Sequence, residues 1–167
     1  MIGNTTNPLL KQTEEAIQAK VPKNMQEAFQ RIVLAGSKVM YSKESQNLIA
    51  DELKSDGDPA EIAGTGVAKL LGLLMAHSKG TMPMQAAIPA ITVLLCEALY
   101  FMEQAGKVKV DADLLARATQ DMASAVMQMM GLTPDKLSSI MQKSGQTPQT
   151  SPAPNTPTGI VAAGQGA

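Results

Sequence analysis

Residues 58–106 read DPAEIAGTGVAKLLGLLMAHSKGTMPMQAAIPAITVLLCEALYFMEQAG, and the fold turns on how this stretch is interpreted. Its first half carries Ala60, Gly64, Ala68, Gly72 and Ala76 at every fourth position. On a helix these residues form one ridge of small side chains that a neighbouring backbone can approach closely. Each glycine in an exposed helix costs about 1 kcal/mol relative to alanine, so close packing is the expected compensation. A branched side chain at Gly72 is expected to break that contact. The second half has no charged residue between Lys79 and Glu97, which marks a helix covered by protein on all sides. The two halves together predict a central apolar helical hairpin.

Capping chemistry delimits the helices. Asp58 followed by Pro59 and Glu61 places an N-cap, a proline in the first turn and an acid in capping-box position. Gly80 suits a left-handed terminator, Pro83 opens the next helix, and Pro89 either kinks that helix or marks its true start. Upstream, Asn7-Pro8 opens a helix to Lys20 with Leu9, Leu10, Thr13 and Ile17 inward. Pro22 restarts the chain into a helix ending near Tyr41, with Met25, Phe29, Ile32, Gly36 and Val39 on its inner face. A third helix is expected over 43–54. Downstream, KVKV at 107–110 is a connector, and Asp111 and Asp113 begin a helix to Met130 with a seam of Leu115, Ala118, Met122, Ala125 and Met129. Gly131-Leu132 fits a helix stop, and Thr133-Pro134 opens a last helix to about Lys143.

The fold class is therefore all-α: a compact bundle of about six or seven helices around the apolar hairpin, with an extended Pro-rich C-terminal tail. The domain plan is an N-terminal arm over 1–7, a helical domain over 8–145 and a low-complexity tail over 146–167. A chain of 167 residues with 44% hydrophobic content can build one core.

Composition bears on function mainly by exclusion. Net charge is −1 with no basic cluster, so direct nucleic-acid binding is not expected. A single cysteine rules out an internal disulfide framework. The opening MIGNTTNPLL lacks the charged and apolar regions of a secretory signal, so synthesis in a reducing cytoplasm is expected. His77 is the only histidine and falls in the last turn of its helix, where an imidazolium meets the helix C-terminus favourably. Cys96 lies in VLLCEALY, a context that raises a thiol pKa and leaves the sulfur inert. Gly64-Thr65-Gly66-Val67-Ala68-Lys69 fails the phosphate-loop spacing and follows no strand. No catalytic residue, cofactor, metal site or small-molecule substrate is expected.

Glu97 is the lone charge from Met82 to Met102, either on a wet edge or in a buried ion pair with Lys69 or with another subunit. Met82, Met84, Met122, Met129 and Met130 suit both core filling and an adaptable interface. Residues 82–102 approach the ~20 residues needed to cross a bilayer. Glu97, Gln85, Thr92 and two prolines weigh against a span, so membrane insertion ranks behind a soluble core helix.

An all-helical Ala/Met/Gln-rich body, the central GTMPMQAAIPAITVLLCEALYFMEQAG and an uncharged Pro/Thr/Ala tail resemble small virion proteins encoded among tailed-phage structural genes. The resemblance is one of texture and carries over no functional residue. It implies a non-enzymatic, multi-copy component of capsid, internal core or head–tail region, made in the host cytoplasm and partnered by copies of itself and other virion proteins. Two alternatives stand beside it: an ejected or membrane-active phage protein using residues 58–106, and a cytosolic helical adaptor.

Overall fold

The computed structural model describes residues 5–43, 45 and 57–131. Contacts divide the chain into Met1–Leu132 and Thr133–Ala167, and the described residues all belong to the first unit. The expected helices over 43–54 and 134–143, and the tail over 146–167, lie outside the described residues or almost wholly so.

Among the described residues the chain forms five α-helices and no strand: α1 (Pro8–Lys20), α2 (Gln26–Met40), α3 (Pro59–His77), α4 (Met84–Gln104) and α5 (Ala112–Met129). A single 3-10 turn, Lys23–Met25, leads into α2. The KVKV segment is an irregular connector.

Local chemistry sets the boundaries. Asn7 Oδ1 accepts from the Leu9 and Leu10 amides at 3.0 and 3.4 Å, with Pro8 in the first turn. Asp58 Oδ1 accepts from the Ala60 amide at 3.0 Å, and Asp111 Oδ1 from the Leu114 amide at 2.9 Å. These side chains satisfy amides that a helix start leaves open. The reciprocal half of the expected capping box is absent. The second Asp58 oxygen instead takes Arg117 Nη1 of α5 at 2.6 Å, an exposed pair that ties α3 to α5. Gly106, at φ 69°, ends α4: its amide donates to the Glu103 carbonyl and the Lys107 amide to the Met102 carbonyl. That pairing is the Schellman arrangement. Pro89 lies inside α4, and the helix starts at Met84. The Gln85 carbonyl loses an amide partner to the proline ring, but Gln85 is exposed to water.

Helix α4 is the centre. Ala86, Ala87, Ala90, Ile91, Val93, Leu94, Leu95, Cys96, Glu97, Leu99 and Met102 are buried along it, and α1, α2, α3 and α5 all pack against it. Leu10 of α1, Phe29, Ile32 and Val33 of α2, and Val67 and Leu71 of α3 complete the core. Each fully buried leucine or phenylalanine contributes about 1.5–3 kcal/mol relative to exposure. On α2, Gly36 makes room for Leu94, whose methyl groups occupy the space a Cβ would need.

The small-residue ridge of α3 faces α5. Ala60, Gly64 and Ala68 are buried. A Cβ on Gly64 would stand 2.7 Å from both the Ala118 carbonyl oxygen and the Met122 amide nitrogen. The close backbone approach is therefore at Gly64. At Gly72 a Cβ would meet only Met129 Sδ, at 2.7 Å, and Met129 is a flexible, half-exposed side chain. Ala76 is exposed at the end of the ridge. The steric burden expected at Gly72 thus falls two ridge positions earlier, at Gly64.

Gly64→Ala should lower unfolding stability by about 1–3 kcal/mol despite its better helix propensity, because the obstacle is backbone on both sides. Gly72→Ala should be neutral or stabilising, since Met129 can rotate away. Urea denaturation of the two variants checks the order, and equal midpoints would place the close contact elsewhere.

Candidate functional site

The chemistry-bearing side chains that the fold draws together lie where α1 packs against α4, near the C-terminal end of α2. Leu10 and Glu14, four residues apart, share the inner face of α1 and are its two buried residues. Glu97 of α4 is buried at 5% exposure and Glu14 at 7%. From α2, Ser37 Oγ donates to Glu97 Oε2 at 2.8 Å. Glu14 Oε1 is buried with no hydrogen-bond partner.

The expected Glu97–Lys69 pair is not formed. Glu97 is buried, but its partner is the Ser37 hydroxyl, and Lys69 is exposed on α3 beside a separate groove. Among the described residues neither Glu14 nor Glu97 belongs to an ion pair.

The electrostatics follow from this arrangement. Burial, helped by repulsion from Glu97 and then Glu15, pushes the Glu14 carboxyl up to about 7. Burial also raises Glu97, and the Ser37 hydrogen bond opposes it by favouring the anion. Tyr41 of α2 is raised by burial and by Glu97, Glu14 and Tyr100. Cys96 is fully buried and unpaired. Burial, with Glu14 and Glu97 nearby, pushes its thiol up to about 12, so at neutral pH it stays protonated. Of the two buried carboxyl groups, Glu14 is the one that burial brings to titrate near neutral pH.

A second polar knot lies at the start of α1. Asn7 Nδ2 donates to both carboxylate oxygens of Glu103, at 3.1 and 3.0 Å, and the Val110 amide donates to Glu103 Oε1 at 3.0 Å. One carboxylate thereby joins the N-terminus of α1, the end of α4 and the connector before α5.

The remaining candidates are dispersed. His77 is exposed at the end of α3. Among the described residues no group of three His, Cys, Asp or Glu side chains could hold a metal ion. Met122 is buried, Met82 and Met84 are half-buried against the core, and Met129 and Met130 are exposed. A groove of about 360 Å³, lined by Val39, Met40, Ile62, Leu70, Leu73 and Lys69 among others, is almost wholly apolar. Neither buried carboxylate lines it.

Sequence reasoning missed Glu14, Ser37, Tyr41 and Glu103. A signal for Glu14 was present: it stands four residues after Leu10 and three before Ile17, on the apolar stripe, whereas Glu15 does not. Ser37 follows buried Gly36 and carries no comparable mark.

Comparisons with protein-family models, curated proteins and solved structures found no match to this chain.

Two outcomes test this geometry. Ser37→Ala removes the hydroxyl that stabilises ionised Glu97, so it should cost about 1–2 kcal/mol at pH 8 and much less at pH 4, where Glu97 is protonated. Denaturant titration at both pH values measures this, and an equal loss at both would mean that Ser37 matters only for packing. Cys96 should react with a disulfide reagent at least ~100-fold more slowly in the native protein than in urea, because the thiol is both buried and protonated. Comparable rates would mean that the α1–α4 seam is open.

Proposed function

We propose that this chain is a non-enzymatic helical structural subunit, a multi-copy virion component of a tailed phage that packs against copies of itself and other virion proteins. The observation that carries this reading is where chemistry and apolar surface lie. The reactive groups Glu14, Glu97 and Cys96 are interior. Leu34, Tyr41, Leu73, Ile88, Met129 and Met130, by contrast, are large apolar side chains at 44–58% exposure. Leu34 and Tyr41 are seven residues apart on α2 and form one stripe. Met129 lies over Gly72, the neighbour of Leu73. Apolar surface of this kind suits protein–protein contact, and methionine adapts to more than one partner. The phage setting rests on the resemblance in sequence texture alone.

Sedimentation velocity of the full chain tests the assembly reading. Wild type should sediment as species larger than the 17.5 kDa monomer. Leu34→Glu or Met129→Glu should shift it toward monomer while leaving stability within about 0.5 kcal/mol, as expected for exposed sites. A wild-type chain that is monomeric at tens of micromolar would count against it.

One observation favours a second reading. Helices α3 and α4 are both long and apolar enough to cross a membrane by length and composition. A soluble core helix meets the same criterion, and α4 is mostly buried within the bundle. The structural reading predicts no flotation with liposomes and no dye release at neutral pH. Dye release that is abolished by the exposed-site variant Ile88→Arg, but kept when residues 146–167 are removed, would favour membrane activity instead.

A further inference from the structure

Helix α1 is held to the body in an unusual way. Its two buried side chains are one leucine and one carboxyl group, Leu10 and Glu14. Leu9, Thr13 and Ile17 are only half-buried. At 13 residues the helix is too short to be stable by itself in water. Val21, buried in the core, and Pro22 separate it from the 3-10 turn before α2. Among the described residues the buried side-chain atoms without a hydrogen-bond partner are Thr5 Oγ1 and Glu14 Oε1, and both belong to this N-terminal segment.

Among the described residues, the surface that receives Glu14 offers it no ion-pair partner. From α4 it presents Glu97 and Cys96, from the end of α2 Tyr41, and beside Glu97 the Ser37 hydroxyl. Ser37 is already committed to Glu97. Exposed Glu15, next along α1, adds a further negative charge. A carboxylate at position 14 would therefore be short of water, donor and countercharge together. A carboxylic acid there loses far less on burial and brings a proton it can donate.

We propose that α1 is a pH-dependent latch, docked on α4 while Glu14 is protonated and loosened when Glu14 ionises. The sign follows from the shift. Docked Glu14 titrates near 7, while a released, solvated Glu14 returns to its ordinary value of 4.5. Below 4.5 both states are protonated and docking is at full strength. Between 4.5 and about 7 the released state ionises first, so docking weakens as pH rises, and above that it stays at its weakest. Each pH unit inside the window raises the released fraction up to about tenfold, and the rise between pH 5 and 7 is roughly fortyfold. Leu10 and the Asn7–Glu103 contact persist throughout, so the released state grows as a minority population.

Hydrogen exchange on the full chain tests the latch, with rates corrected for intrinsic pH dependence. Protection of amides in residues 8–20 should fall roughly seventyfold from pH 5 to pH 8 and stay below that of residues 84–104 throughout. Glu14→Gln, neutral at every pH, should abolish that fall. Uniform wild-type protection of residues 8–20 across this range, or an unchanged fall in Glu14→Gln, would overturn the proposal. A carboxyl carbon-13 titration of wild-type protein decides independently of how well the variant folds. A Glu14 midpoint near 7 supports the latch, and one near 4.5 overturns it.

Discussion

A helix that carries no charge between Lys79 and Glu97 calls for cover, and the rest of the body supplies it except at Gln85, Ile88 and Gln104. Each neighbour of α4 contributes an apolar face: Leu10 from α1, Phe29, Ile32 and Val33 from α2, Val67 and Leu71 from α3. Covering α4 has local consequences. Gly36 exists without a side chain because Leu94 fills the space. Glu97 is carried into the interior by the helix it belongs to, and Ser37 supplies the hydrogen bond that makes its burial tolerable. The polar features of the α1 seam follow from the central helix.

The fold was legible in the sequence wherever a local rule decided it. Asn7, Asp58 and Asp111 cap the helices they were expected to cap, and Gly80, Gly106 and Gly131 adopt positive φ where helices end. Such signals act within a few residues, so one chain suffices to read them. The ridge at Ala60, Gly64 and Ala68 was legible as a contact face for the same reason, being a property of one helix surface. Where along it the neighbour comes closest was not, because that depends on the register of α5 against α3.

The acid pair was the least legible part. The low-charge stretch left Glu97 either on a wet edge or in a buried ion pair with Lys69 or another subunit, and Lys69 lies on an exposed face of α3. The real partners come from α2 and α1, and only the packing of helices distant in sequence brings Ser37 and Glu14 to it. A rule that pairs opposite charges fails where a burial site takes a hydroxyl and a second acid. Glu14 shows the converse: its place on the apolar stripe of α1 was readable, but a carboxylate there invites the reading that the stripe is ragged.

The two seams of the body differ in kind. Between α3 and α5, glycine and alanine allow the backbones to touch, and polar ties such as Arg117–Asp58 stay at the wet edge, where an exposed pair adds little and costs little. Between α1 and the body, one of two buried anchors is an ionisable group facing another of like sign. Leucine in place of Glu14 would bind that seam more tightly at every pH above the ordinary carboxyl value, because it has no charge to desolvate. The molecule therefore has one seam made by close backbone contact and another that rests in part on an ionisable group. Opening free energies differ across a single domain, and segments with few apolar anchors open first. In a subunit that assembles, lifting α1 would uncover the face of α4 bearing Cys96 and Glu97 without unfolding the α3–α5 pair. Any partner reaching that face would find apolar surface around a carboxylate, and would bind best where it brings the donor or cation that α1 does not.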